Sequence, residues 1–166
     1  MEFSPDLIAE IRNIPWFNEL TSSQVERLAR ISSIQNSQPG EELFREGDRV
    51  EYLYIILSGK IAIENYIPSL GKQIVNAGEP LDVIGWSCLT PVVRQRTATA
   101  RVCQPSRLLS INGEALAQLC EEDHDLGFLI MRRVANIVAS QFLATRLHLY
   151  DIIRNSSHSL AQSNLF

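Results

Sequence analysis

The sequence predicts a mainly β fold: a jelly-roll (double-stranded β-helix) barrel with N-terminal helices and a long C-terminal helix. Three observations carry this. Residues 32–112 consist of short β-type runs divided by turn signals, at the spacing of strands in a sandwich or barrel. The segments before and after that region carry helical periodicity instead. The chain has 166 residues, which suits one domain with a substantial core, or one domain plus an extra helix.

The elements follow in order. Pro5 to Ile14 reads as a short helix, because Leu7, Ile8 and Ile11 share one face, Pro5 can start it and Pro15 stops it. Thr21-Ser22-Ser23-Gln24 is a capping-box pattern, and Val25, Leu28, Ala29 and Ile31 give the next helix its buried face. Pro39-Gly40, Glu46-Gly47-Asp48, Ser58-Gly59-Lys60, Leu70-Gly71-Lys72 and Gly78-Glu79-Pro80 punctuate the barrel region. Between them lie Leu43-Phe44, Tyr52 to Leu57, Ile61 to Ile67 and Gln73 to Asn76, with further strands expected at Thr97 to Cys103 and Arg107 to Ile111. That makes about seven or eight strands. Asn112-Gly113-Glu114 then opens a helix with Leu116, Leu119 and Cys120 on one face. The acidic stretch Glu121 to Asp125 ends it, and Asp125 is placed to cap a long helix from Leu126 to Tyr150. Met131, Val134, Val138 and Phe142 form one apolar stripe of that helix; Ala139, Leu143, Leu147 and Tyr150 form a second. A single packed face needs an arc of only about 100°. The surplus suggests a helix that meets both the barrel and a partner, with burial in the core alone as the alternative. The expected division is 1–31 helical, 32–112 barrel, 113–153 C-terminal helices and 154–166 a polar tail that frays.

Composition narrows the class. A hydrophobic content of 45% excludes a disordered chain. No uninterrupted apolar run approaches the roughly 20 residues of a membrane span, and Met1 to Glu10 shows no secretory signal. The formal charge of −4 disfavours whole-protein attraction to nucleic acid. Cys88, Cys103 and Cys120 are too few for a four-cysteine metal site, and they read as buried or half-buried thiols in a reduced, cytoplasmic setting. The three histidines, His124, His148 and His158, lie outside the strand region, so the barrel has none to hold a metal. No hydrolase, zinc-protease, P-loop or dinucleotide-binding motif is present. The expectation is a protein that is not an enzyme, with no cofactor and no metal.

The informative segment is Ile84-Gly85-Trp86-Ser87-Cys88-Leu89, followed by Arg96-Thr97-Ala98. A glycine before a short helical turn exposes backbone N–H groups that favour an anion. A returning strand that supplies an arginine and a hydroxyl completes a phosphate cradle. On spacing alone, a surface arginine on a strand is the competing reading.

Glu41-Glu42-Leu43-Phe44-Arg45-Glu46-Gly47-Asp48, then Leu53-Tyr54-Ile55-Ile56-Leu57-Ser58-Gly59-Lys60-Ile61, then Gly85 and Arg96-Thr97-Ala98 occur in one order. This arrangement resembles the cyclic-nucleotide-binding domain of the catabolite-activator and cAMP-dependent kinase regulatory families, over roughly Phe17 to Ile153. By that resemblance, Gly85 and the backbone around Ser87 and Cys88 would hold the sugar and phosphate edge. Arg96 would pair with the cyclic phosphate and Thr97 would add a hydroxyl. A base contact would come from the long helix near Gln141 and Phe142. The resemblance also implies a glutamate accepting the ribose 2′-hydroxyl, and Trp86 stands there instead. Indole donates one N–H and accepts nothing, but it can fill the ribose space or stack on a base. The pocket is then turned to another phosphate-bearing ligand, or filled and silent, or Trp86 is simply core.

Transcription factors of that family carry a helix-turn-helix domain after the long helix. Here thirteen residues, 154–166, follow it, too few for a DNA-reading unit. The expected function is therefore a stand-alone sensory or regulatory domain for a cyclic nucleotide or similar phosphate compound. It would form a homodimer through its long helix and act on an unknown protein partner, without direct DNA binding or a membrane span. The alternative is a dimerisation or interaction module of the same fold that binds no nucleotide.

Overall fold

The computed structural model describes residues 5–49, 51–68, 71–90, 92 and 95–163. The elements are α1 (Pro5–Asn13), α2 (Ser22–Arg30), β1 (Ser32–Ser37), β2 (Glu42–Phe44), β3 (Tyr52–Ile67), β4 (Gly71–Gly78), β5 (Val83–Ile84), β6 (Thr99–Asn112), α3 (Gly113–Glu122) and α4 (His124–Ser163). Single 3-10 turns lie at Pro15–Phe17 and Trp86–Leu89. The chain forms two compact units, residues 1–129 and 130–166.

In the first unit the strands form one antiparallel sheet in the order β1-β6-β3-β4, with β2 added to β6 and β5 to β3. This is the jelly-roll architecture with flanking helices. The long strands β3 and β6 pair from Tyr52↔Asn112 to Glu64↔Thr99. Two interruptions expected from the sequence are bends inside these strands, so the described residues hold six strands rather than seven or eight. The register shifts around Ser58 and Lys60 curl β3 without ending it. Gly59 makes the bend at φ +97°, where a Cβ would lie 2.2 Å from Ser106 Oγ and 2.6 Å from Pro105 O. Pro105, without an N–H to give the ladder, falls in the same irregular stretch of β6. Of the expected Leu70-Gly71-Lys72 turn, Leu70 lies outside the described residues.

The barrel core joins Tyr54, Ile56, Ile61, Ile84, Ala100, Val102 and Leu108, with Leu43, Phe44 and Ile63 packed against it. The capping box of α2 forms as expected. Gln24 N donates to Thr21 Oγ1 at 3.3 Å, and Thr21 N donates to Gln24 Oε1 at 2.9 Å. Gln24 Nε2 also donates to both carboxylate oxygens of Asp123, at 3.2 and 3.1 Å. Asp123 Oδ1 in turn accepts from Leu126 N at 3.0 Å. The long helix is therefore capped by Asp123, not by Asp125, and starts at His124 rather than Leu126. Its carboxyl is held below the usual range, first by the Leu126 amide and then by the Gln24 side chain.

In the second unit α4 continues past Tyr150 to Ser163. The segment expected to fray from residue 154 is thus helical through Ser163, which fits its lack of glycine and proline. Met131, Val138, Phe142, Leu143, Leu147 and Tyr150 are exposed on it. Residues 124–151 are long and apolar enough, by length and composition alone, to cross a membrane.

Candidate functional site

Arg96 is the centre of the site, and both its backbone and its side chain are fixed. Its N–H donates to Asp48 O at 2.9 Å, and its carbonyl accepts from Gly47 N at 2.8 Å. The Glu46-Gly47-Asp48 turn thereby docks the returning segment against the barrel. The side chain is only 4% exposed. Nη2 donates to Tyr52 O at 2.5 Å, and the guanidinium carbon lies 4.2 Å from the centroid of the Phe44 ring. That ring stacks on Tyr54 at 6.2 Å and 25°.

Four of the five guanidinium N–H groups remain, three of them on Nε and Nη1. Nε and Nη1 are buried without a hydrogen-bond partner among the described residues. Burial pulls the guanidinium pKa down, and Cys88, Tyr54, Asp48 and Glu51 oppose that shift only through space. Unpartnered buried donors of this kind cost roughly 1–3 kcal/mol each, and more on a charged group. A folded protein retains such a group where something else supplies the acceptor. A water molecule or an anion can do so.

Gly85 forms the opposing wall at φ +76°, and a Cβ there would sit 2.7 Å from both Arg96 Nη1 and Tyr52 O. Only glycine adopts that backbone without strain and also lets the guanidinium approach. The turn Trp86–Leu89 follows, and its first internal bond runs from Cys88 N to Gly85 O at 3.2 Å. The Trp86 and Ser87 amides precede that bond, as the first donors of any helical turn do. On the far side of the turn, Gly113 opens α3, and a Cβ there would meet Cys88 Cβ at 2.6 Å. Gly113 N also donates to Glu51 O at 2.8 Å, fixing the start of α3 beside the turn.

The structure thus gathers Gly85, Cys88 and Arg96, with Trp86 and Ser87 in the same turn. Arg96 is not the surface arginine that its spacing alone allowed. Thr97 is exposed, and its carbonyl accepts from Asn65 Nδ2 at 2.7 Å. The nearby hydroxyl that engages the Glu46-Gly47-Asp48 turn is that of Thr99, which accepts from Glu46 N at 3.1 Å. Gln141 lies on α4 in the second unit. Sequence reasoning missed Phe44 and the Tyr52 carbonyl as the groups that hold Arg96. Phe44 lay in a stretch that reads as strand, and a backbone acceptor leaves no trace in residue identity.

The thiols differ. Cys103 is exposed rather than buried, since it lies on the outward side of β6. Burial pushes the Cys88 thiol up to about 11, partly opposed by Arg96, and pushes Cys120 to about 11 as well. At pH 8 roughly one thiol in a thousand of that kind is thiolate. Iodoacetamide at pH 8 should therefore alkylate Cys103 and spare Cys88 and Cys120, as read by peptide mass spectrometry. Equal labelling of Cys88 would mean that the turn at 86–89 is open in solution.

A family model described as the cyclic nucleotide-binding domain matches residues 34–123. The uncharacterized protein Rv0104 of Mycobacterium tuberculosis is 35% identical over 100 residues, which is 60% of this chain. The match covers only 18% of that relative's length. Among solved structures, a protein from Geobacter metallireducens GS-15 superposes with a TM-score of 0.71 at 26% identity, covering 81% of this chain and 96% of that one. The sensor domain of the transcriptional regulator DNR from Pseudomonas aeruginosa gives 0.70 at 19%, covering 86% and 95%. A regulatory subunit of a cAMP-independent protein kinase A from Trypanosoma brucei, in a mutant form bound to cAMP, gives 0.65 at 21%, covering 78% and 45%. The last two likenesses are of fold alone.

Proposed function

Because the chain belongs to the cyclic nucleotide-binding domain family, we propose that it is a sensory or regulatory domain that binds a cyclic nucleotide or a similar phosphate-bearing small molecule at Arg96. The observation that carries this reading is the buried guanidinium with Nε and Nη1 unmatched among the described residues. The ligand's phosphate would accept from those groups and from the amides following Gly85. Thr97 would add a hydroxyl, and Trp86 would stack on ring or sugar. The domain performs no turnover and reads no DNA in this proposal. It works in the cytoplasm, pairs with its copy through the exposed apolar face of α4, and passes the ligand state to a protein partner. Such a switch operates only if its two states bind ligand with different affinity.

A second reading has its own support. Arg96 already has a carbonyl and a ring as neighbours, and Trp86 brings no acceptor for a ribose hydroxyl. The Trypanosoma brucei neighbour is described as cAMP-independent, so the fold by itself does not fix the ligand. The chain would then be a dimerisation or interaction module that binds no nucleotide.

Titration calorimetry against cAMP and cGMP in phosphate-free buffer separates the two. The binding reading expects saturable micromolar heat, with a matching change in Trp86 fluorescence in a Trp16→Phe background. No heat up to about millimolar nucleotide, a free energy near −4 kcal/mol, would leave the interaction module as the function.

A further inference from the structure

We propose that Phe44 is a positioning residue for Arg96: its ring face does the work that a carboxylate does beside most buried arginines, and it leaves Nε and Nη1 for an anion. The inference rests on the binding reading above and names what prepares that site. A carboxylate partner would neutralise the guanidinium and occupy N–H groups that a phosphate needs. An aromatic face attracts the cation through its quadrupole and takes none of them.

The geometry fits that division. The guanidinium carbon sits 4.2 Å from the ring centroid, and one edge nitrogen is tied to Tyr52 O. Phe44 is itself held by rigid structure. It pairs with Ala100 across β2 and β6 and stacks on Tyr54, which is 6% exposed. A side chain located by one face contact and one edge contact has little freedom left to rotate.

Phe44→Tyr keeps the π face and Phe44→Leu removes it at similar bulk. Two readouts are needed: the NMR shift of the Arg96 Nε–H, which a ring above it displaces, and the affinity for cAMP and for inorganic phosphate. The wild-type Nε–H should be ring-shifted. Phe44→Tyr should keep the shift and stay within about 2-fold of wild-type affinity, whereas Phe44→Leu should lose the shift and bind about 3- to 30-fold more weakly. Unfolding midpoints confirm that both variants are folded. Unchanged affinity in Phe44→Leu, or an unshifted Nε–H in the wild type, overturns the proposal. If the wild type binds neither probe, the binding reading fails, and the NMR comparison alone still decides whether the ring positions Arg96.

Discussion

Arg96→Met is expected to abolish binding of a phosphate-bearing ligand and, in the same protein, to raise the unfolding midpoint of the ligand-free state. The first effect follows from losing the charged donors. Hydrogen bonds to charged groups are worth about 1.5–3 kcal/mol each, so two lost contacts weaken affinity by at least about 100-fold. The second follows from the environment. Arg96 is 4% exposed and two of its nitrogens lack partners among the described residues. Replacing buried charged groups by apolar side chains of similar volume is often neutral or stabilising by about 1–4 kcal/mol. Methionine fits the space of the arginine stem and carries no charge. It forfeits the bond to Tyr52 O and the contact over Phe44, and the ring contact alone is worth about 0.5–2 kcal/mol. The net gain should be about 1 kcal/mol, or some 2–4 °C in a domain of this size. Arg96→Ala, which leaves a cavity as well, should unfold below Arg96→Met. Thermal unfolding and calorimetry on the three proteins read both effects. A midpoint falling by more than about 5 °C in Arg96→Met would make the cation a structural element, and unchanged affinity would remove it from the site.

This opposition between stability and binding is what the sequence could not display. Gly85 and the turn after it were legible because their chemistry is local: a glycine before a short helical turn suits the left-handed backbone found there, at φ +76°. The capping box at Thr21 and Gln24 was legible for the same reason. What escaped was set by contacts between distant segments. Asp125 and Asp123 look equally fit to cap α4, and the choice falls to Asp123 because Gln24, 99 residues away, holds its carboxylate. Ser58-Gly59-Lys60 looks like a turn, yet the sheet continues through it because Ser106 and Pro105 close against the space left by the missing Cβ. Phe44 looks like a strand residue, and it is; only the arrival of Arg96 over its ring gives it a further role.

Gly85→Ala should be among the most damaging single-methyl changes in the protein, and its cost should depend on residue 96. At φ +76° an alanine pays the left-handed penalty of about 1–2 kcal/mol whatever surrounds it. Its Cβ would also lie 2.7 Å from Tyr52 O, a backbone atom pinned in the β3–β6 ladder, and 2.7 Å from Arg96 Nη1. Overpacking of that kind adds about 1–3 kcal/mol. The total of about 2–5 kcal/mol is a large fraction of a domain's stability. The arginine part of the clash disappears in an Arg96→Met background, whereas the backbone strain and the contact with Tyr52 O persist. Gly85→Ala should therefore destabilise the wild type by about 0.5–1.5 kcal/mol more than it destabilises Arg96→Met, a coupling within the range seen for residues in contact. Denaturant unfolding of the four proteins measures it. Strict additivity would show that the guanidinium does not rest against Gly85 in solution, and that the Trp86–Leu89 turn and Arg96 do not form one site.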